Sequence, residues 1–573
     1  MRPDALLVLQ RSDVLHLAAL QASDPAHLAG LKLLFIDPGT LDDALRAGLQ
    51  NHELRRVTVD RDLPARVFAQ ACSRSALIDQ LLSAERQSLF GAGVPAGTPF
   101  TGWDQSLLYM ALQRAFTAQA LGQAVAAQFA EQRIGLLRPD NAQLLNFDCM
   151  LSTEMAGADS TRFAFVGRYP AGRLHNPQLL TLGWHGQAVA AQVQQQQGVD
   201  ALVHIATCFY DAATFGQAIR ARYSRILDLP GIYCDVPVQR TAPLLMRLED
   251  LPAARWPTAV RRYRERAFAV LCDQLAPWLP SRTALQQQAA VWADRCELQA
   301  LNFVTLHEAL AGHSPDFVLA DHDTGHNGPL FSLAAALDSA VTVLPHSGYA
   351  TSALPHARRV TAVECAGFGA AVRTVLGQPV PTRAVQFRPQ VEATPRPSLR
   401  CVCLLLNTMH SEGVSYIDFY PMVAFYRALA ALCAEHGVEL RLRLKPGAPA
   451  LAVATATFGL AVQELVDTAR LPIAELAQDS DICVNYGEPT SGMLSFLDAG
   501  SLVLHVSEQD WPADTLIAPP FMRDGLVCSR HGQAALGELR RLLTQPEHYA
   551  ACQQGQHLAH EQRRKGAEAA LFG

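Results

Sequence analysis

Residues 471–506, LPIAELAQDSDICVNYGEPTSGMLSFLDAGSLVLHV, constrain the fold more than any other part of the chain, because they hold a strand, a small-residue turn, a helix and a second strand in close succession. Residues 482–485 are a short apolar run of the kind buried in parallel sheets. Glu488, Pro489, Thr490, Ser491 and Gly492 then bring a proline, hydroxyls and a glycine to the point where a helix should open. The pattern predicts a helix over 493–499, ended by Gly500. The unpaired N–H groups and positive dipole end of such a helix suit an anion, so Thr490, Ser491 and Gly492 are candidate phosphate contacts. The competing reading is an ordinary strand-to-helix turn in which Thr490 or Ser491 only caps the helix.

At 573 residues the chain exceeds what one hydrophobic core organises, so at least two domains are expected. A hydrophobic share of 49% with 17% charged residues describes a folded chain with ample core material, and a net charge of -6 excludes a general attraction to nucleic acid. The basic run Arg261, Arg262, Arg264 and Arg266 is interrupted and reads as a solvated helix face, as does the terminal run at 563–565. Arg2, Asp4, Arg11 and Asp13 break the apolar residues of the amino terminus, which matches neither a signal peptide nor a membrane span, and a cytoplasmic protein is expected. The 13 cysteines include no CxxC pair. Cys401 and Cys403 alternate along an apolar run and read as buried small hydrophobes, so reduced thiols and no structural zinc are expected.

Residues 378–399, with five prolines and no apolar period, read as an interdomain linker. After it, strands at 402–406 and 439–444 alternate with helices at 420–436 and 451–469, leading into the opening stretch. Before it, a strand at 316–320, a helix at 328–340 and a strand at 341–344 form a second βαβ unit. Further upstream, 133–137 and 201–205 read as strands and 107–132 and 260–275 as helices; within 1–130 the clearest strand is 33–36. Residues 192–199 read as a helix end or surface loop. The expected organisation is an accessory part at 1–130, an α/β lobe at 131–377, the linker, and an α/β lobe at 400–573, with parallel sheets whose ligands lie at the carboxyl ends of the strands.

Polar groups collect at those ends. Asp321, His322, Asp323, Thr324, Gly325, His326, Asn327 and Gly328 follow one predicted strand and open a helix, so Asp321 or Asp323 is a candidate base or nucleophile, with a helix cap or an idle polar loop as alternatives. A metal set from Asp321, His322 and His326 is a weaker alternative, and no metal is expected. Pro345, His346, Ser347 and Gly348 follow the next strand at the same edge. Lys445 ends the 439–444 strand, where a cation would neutralise a leaving phosphate, or stand solvated. Asn407 opens the loop after the first C-terminal strand, while the 148–154 segment could supply an acceptor-side carboxylate, with Glu364 a comparable outsider, although a solvated loop is the preferred reading of both.

The opening stretch resembles the donor-binding half of GT-B glycosyltransferases, in the pattern "aDv.v......s...EAlaaG.pvi", followed here by Asp481, Ile482, Val484, Ser491, Leu497, Ala499, Gly500 and Val503. Ser495 stands where many members carry a glutamate, which leaves Glu488 and Asp498 as alternatives for a carboxylate that meets the donor ribose. The pattern "D...G.N......AA.....V.V.PH.G", carried by Asp321, Gly325, Asn327, Ala334, Ala335, Val341, Val343, Pro345, His346 and Gly348, resembles the nucleotide-sugar transferases of capsule and lipopolysaccharide assembly, with Ser347 inserted in the usual Pro-His-Gly. Lys445 and Pro446 are similar to the "K.HP" region of capsular and 3-deoxy-octulosonate transferases, without its histidine.

The resemblance implies a GT-B fold, two Rossmann-like lobes with parallel sheets facing across a cleft, the N-terminal lobe enlarged. It implies a glycosyltransferase that moves a sugar from a nucleotide sugar to a glycan, glycolipid or glycoprotein acceptor, with a CMP-activated acid sugar such as CMP-Kdo favoured and a UDP-hexose next. Asp321, Asp323 and His346 would be catalytic, and Lys445, Glu488, Thr490, Ser491, Gly492 and Asn407 would hold the donor. No cofactor is implied beyond the nucleotide-sugar substrate. A lipid-linked acceptor would bring the chain to the inner face of the membrane. The alternatives are a sugar-nucleotide epimerase or hydrolase of the same fold and a non-catalytic component of a polysaccharide assembly complex.

Overall fold

The structure is a computed structural model that describes residues 3–9, 11–35, 53–57, 63–130, 132–140, 161–170, 186–204, 212–229, 255–278, 282–320, 328–344, 353–354, 359–365, 372–374, 378–385, 399–406, 419–444, 462–487, 489–490, 492–507, 520–523 and 525–565, with single positions between 41 and 49 and at 459 and 572. It is an α/β protein, and its three large sheets are wholly parallel.

The first sheet holds β1 (Ala5–Val8), β2 (Lys32–Phe35), β3 (Glu53–Arg56), β4 (Ile134–Asp140) and β5 (Phe163–Pro170), in the order β3-β2-β1-β4-β5. The second holds β6 (Ala201–His204), β7 (Ile226–Asp228), β8 (Asp316–Ala320), β9 (Val341–Leu344), β11 (Val360–Cys365) and β13 (Thr382–Val385), in the order β13-β11-β9-β8-β6-β7, beside a small pair of β10 (Ala353–Leu354) and β12 (Arg373–Thr374). The third holds β14 (Cys401–Leu406), β15 (Glu439–Leu444), β16 (Ile482–Tyr486), β17 (Leu502–Val506) and β18 (Ser529–Arg530), in the order β15-β14-β16-β17-β18.

Burial follows from composition. Every residue of β14, β16 and β17 is buried, because a parallel sheet is covered on both faces and its strands must be apolar on both. Val402, Leu404 and Leu406 enter one core and Cys403 and Leu405 the other, so the alternation that predicts buried thiols at Cys401 and Cys403 holds, and neither is bonded to another cysteine. The first two sheets share one continuous core, to which Leu7 and Leu34 contribute from the first and Leu202, Phe317 and Val343 from the second. The long helices Leu63–Phe90, Gln105–Gln128, Arg255–Leu275 and Arg282–Ala309 also contribute to it. Phe572, near the end of the chain, packs edge-on against Tyr223 of the second sheet's periphery, with ring centroids 5.5 Å apart.

Several expectations change. The strand expected at 133–137 is β4, and it pairs with β1, so residues on both sides of position 130 belong to one sheet. Thr382–Val385, inside the proline-rich segment read as linker, is the edge strand beside β11: prolines are tolerated at a sheet edge, and a four-residue strand is too short to show a period. Glu364, read as a solvated loop residue, lies on β11 and is buried. The helix expected over 328–340 stops at Ala336, and the described part of the 451–469 helix is Val462–Arg470, followed by a second helix, Ile473–Gln478. The 148–154 segment lies outside the described residues. Among the described residues, no helix is long and apolar enough to cross a membrane.

Candidate functional site

In an open parallel sheet, the crevice lies outside the carboxyl ends of the two strands between which the strand order reverses. In the third sheet those strands are β14 and β16, which are neighbours in register from Val402↔Ile482 to Leu406↔Tyr486. Asn407 is the residue after β14, and Gly487 to Gly492 follow β16. Of the residues singled out for the donor, Asn407 and the Glu488 to Gly492 turn therefore follow in sequence the two strands that flank this reversal, while Lys445 follows the neighbouring β15.

The turn itself is built on Gly487, whose φ of 93° favours glycine. Its N–H donates to the Val506 carbonyl at 2.9 Å, and its own carbonyl accepts from His505 Nε2 at 2.6 Å. With Nε2 donating, His505 is the neutral Nε2–H tautomer, and its Nδ1 accepts from the Ser529 hydroxyl at 2.5 Å. Burial drives the His505 pKa down to about 4, against the opposing pull of the Gly487 carbonyl. Thr490 Oγ1 accepts the Gly492 N–H at 3.2 Å, and the Thr490 carbonyl accepts from Met493 N at 3.2 Å, so the hydroxyl does cap the helix. The helix runs Gly492–Asp498 and closes at Gly500 (φ 76°), where Ser501 N returns to the Phe496 carbonyl at 2.9 Å. A Cβ at Gly492 would meet Ile473 Cδ1 at 2.7 Å, so the helix start lies tight against its neighbour.

Of the nine residues expected to act, Thr490 and Gly492 are placed, and they sit together at this helix start. Asp321, Asp323, His346, Lys445, Glu488, Ser491 and Asn407 lie outside the described residues, as do His322 and His326 of the alternative metal set. Two acids of the 471–506 stretch have structural work. Asp481 Oδ2 accepts the Arg400 and Cys401 N–H groups at 2.7 and 3.0 Å and fixes the start of β14. Asp498 Oδ1 accepts from His560 Nε2 at 2.9 Å and Arg564 Nη1 at 3.2 Å, which ties it to the helix Pro546–Arg564.

In the second sheet the order reverses between β6 and β8. His204, the buried last residue of β6, pairs in register with Leu319, two positions before Asp321. The far side of that loop returns at Gly328, the first residue of the wholly buried helix Gly328–Ala336. A Cβ on Gly328 would stand 2.4 Å from Trp103 Cα and 2.9 Å from the Gly102 carbonyl, so only glycine fits against that backbone. Trp103 Nε1 also donates to Ser332 Oγ at 2.7 Å.

The Gly102–Trp103 turn is held by a buried charge network. Arg86 donates to Asp104 at 2.7 Å, Asp79 at 3.2 Å, the Tyr263 hydroxyl at 2.7 Å and the Phe100 carbonyl. Asp79 in turn accepts the Gly102 and Asp104 N–H groups at 2.6 and 3.2 Å. Burial alone would depress Arg86, but the Tyr263, Asp79 and Asp104 oxygens outweigh it and keep the guanidinium charged. This network supports the residue that ends the Asp321 loop.

His505, Asn485, His204 and the Arg86 network were missed in the sequence. Asn485 and His505 are register partners, both fully buried, each one residue before the end of an apolar strand. A polar residue at that position in both ICVNY and LVLHV was the available signal. Among the described residues one group has metal-ligand chemistry, Glu538, His548 and Cys552 on the last two helices. Glu538 pairs there with His548 at 2.8 Å and Arg541 at 3.2 Å.

No family model matches the chain, and no curated protein matches it. Among solved structures, a crystal structure of MurG from Acinetobacter baumannii aligns with 69% of this chain and 93% of its own, at 11% identity and a TM-score of 0.29, a similarity too low to argue from.

Proposed function

We propose that the chain is a GT-B glycosyltransferase of surface-glycan assembly. A nucleotide sugar occupies the carboxyl edge of the third sheet, and its sugar passes to a glycan, glycolipid or glycoprotein acceptor held by the N-terminal lobe. The observation that carries this reading is the order β15-β14-β16-β17-β18, because its reversal point falls between the two strands that Asn407 and the Glu488 to Gly492 turn follow. The Gly492 helix start, where Thr490 already takes the Gly492 and Met493 N–H groups, would meet a donor phosphate with its positive dipole end, with the neutral His505 behind the turn. Lys445, next in sequence after β15, offsets the charge that develops on the leaving nucleotide.

Asp321 or Asp323, after β8, serves as base or nucleophile, with His346, after β9, assisting from the adjacent strand. Helix dipole and cation make a divalent ion unnecessary in this scheme. A CMP-activated acid sugar such as CMP-3-deoxy-octulosonate is the favoured donor and a UDP-hexose the next. A lipid-linked acceptor would place the chain at the inner face of the membrane.

The test is nucleotide release from CMP-3-deoxy-octulosonate and from UDP-hexoses, with and without lipopolysaccharide and capsule precursors as acceptors. Acceptor-dependent release that falls at least ~100-fold in Asp321→Asn or Asp323→Asn is expected. Nucleotide release without acceptor would make the chain a hydrolase, conversion of the donor to its epimer without net release an epimerase, and donor binding without turnover a non-catalytic assembly component.

A further inference from the structure

The last two helices, Gly532–Thr544 and Pro546–Arg564, are joined through Gln545 and pack against each other. The second begins at the amino side of the third sheet, where the Tyr549 hydroxyl donates to the carbonyl of Asp481, the residue before β16, at 3.4 Å. That is the opposite edge from the Gly487 to Gly492 turn, which follows the carboxyl end of β16.

Three side chains with metal-ligand atoms converge across this joint. His548 and Cys552 stand four positions apart and so share one face of the second helix, and Glu538 reaches them from the first. His548 Nε2 lies 2.8 Å from Glu538 Oε1, Cys552 Sγ lies 3.8 Å from His548 Nε2, and the three ligand atoms fall within 4.8 Å of one another. Bonds of about 2.0–2.3 Å set the ligand atoms of a tetrahedral zinc ion roughly 3.3–3.6 Å apart. The two separations at His548 Nε2 lie on either side of that spacing.

An ion pair accounts for Glu538 and His548 but not for the thiol beside them. Cys552 is bonded to no other cysteine, and its sulfur stands 3.8 and 3.9 Å from the two ring nitrogens, so it is aimed at neither. The carboxylate is already oriented: Arg541 Nη1 donates to Glu538 Oε2 at 3.2 Å, which leaves Oε1 to His548. A hydrogen bond on the second oxygen of a ligating carboxylate is the usual support of a metal site. Side-chain exposures of 14% for Glu538 and 23% for His548 put the group just beneath the surface, within reach of an ion from solvent.

We propose that Glu538, His548 and Cys552 bind a zinc ion, which ties the last two helices together at the amino side of the third sheet. Carboxylate, imidazole and thiolate together select zinc over magnesium or calcium, and water completes the four-coordinate shell. The Cys552 thiol gives its proton to solvent as the ion binds. The ligands form no CxxC pair, so cysteine spacing does not announce them.

The test strips the full chain with a chelator, titrates it with ZnCl2 against a chromophoric zinc indicator, and repeats the titration with CoCl2 while following thiolate-to-cobalt absorption. One equivalent of zinc is expected to bind, at least ~tenfold more weakly in His548→Gln, Glu538→Gln and Cys552→Ser. The cobalt band is expected to vanish in Cys552→Ser and to survive in Cys528→Ser, which removes an exposed thiol outside the site. Cys552→Ser and Glu538→Gln are near-isosteric; if one does not fold, the other decides. No zinc binding, affinity unchanged in the substituted chains, or a cobalt band that persists in Cys552→Ser would overturn the proposal.

Discussion

His505 holds the carbonyl of Gly487 from inside the core, and its cost of protonation follows from that position. An unfolded histidine takes its proton near 6.5, whereas burial delays this one to about 4. Between those values the unfolded chain binds more protons than the folded one, so stability is full above about pH 6.5 and falls as the pH drops toward 4, by about 3 kcal/mol at the end of the range. His505→Gln should flatten this part of the pH dependence, measured as urea midpoints from pH 7.5 to 4; an unchanged slope would show that His505 is not its source. The same scale separates legible from illegible site residues. Asp481 stands in the quoted pattern and Asp498 beside it, but Asp481 Oδ2 accepts the Arg400 and Cys401 N–H groups and Asp498 Oδ1 accepts from His560 and Arg564. A pattern records which residue recurs and not which neighbour it satisfies.

Two glycines begin helices at the two reversal points, and their surroundings predict opposite tolerances. Gly328 faces the backbone of Trp103 and Gly102, which is anchored by Arg86, Asp79 and Asp104 and cannot retreat. Gly328→Ala should cost about 2–3 kcal/mol, as overpacking against fixed atoms does. Gly492 faces the tip of the Ile473 side chain, which can change rotamer, so Gly492→Ala should cost less than about 1 kcal/mol. Urea unfolding of the two variants checks the order, and equal losses would contradict it. The central strands of the second and third sheets were legible because parallel strands buried on both faces are unbroken apolar runs: β8 and β9 have the expected bounds and β14 and β16 differ by a single residue. β15, ELRLRL, also has its expected bounds, whereas β7, β11, β13 and β18 were not read as strands. The strands of the first sheet were harder to read. β3, ELRR, has a single aliphatic residue, and charged residues enter both β4 and β5, so only hydrogen bonding to β1 and β2 marks them as one sheet.

At the scale of the whole molecule, three parallel sheets each carry a reversal point, and two of these carry the residues on which the proposed transfer depends. The shared core that joins the first two sheets was not legible, since it forms between strands near position 7 and strands near position 317 through helices that lie between them in sequence. The central claim is that the third sheet holds a nucleotide at the β14–β16 reversal. Thermal unfolding with CMP, UDP, GDP, ADP and dTDP, repeated on Lys445→Ala and Ser491→Ala, tests it most directly. The account predicts stabilisation by one nucleotide, about 2.7 kcal/mol at a hundredfold excess over its Kd, and a reduced shift in both variants. No shift with any of the five, or a shift that both variants retain in full, would contradict it.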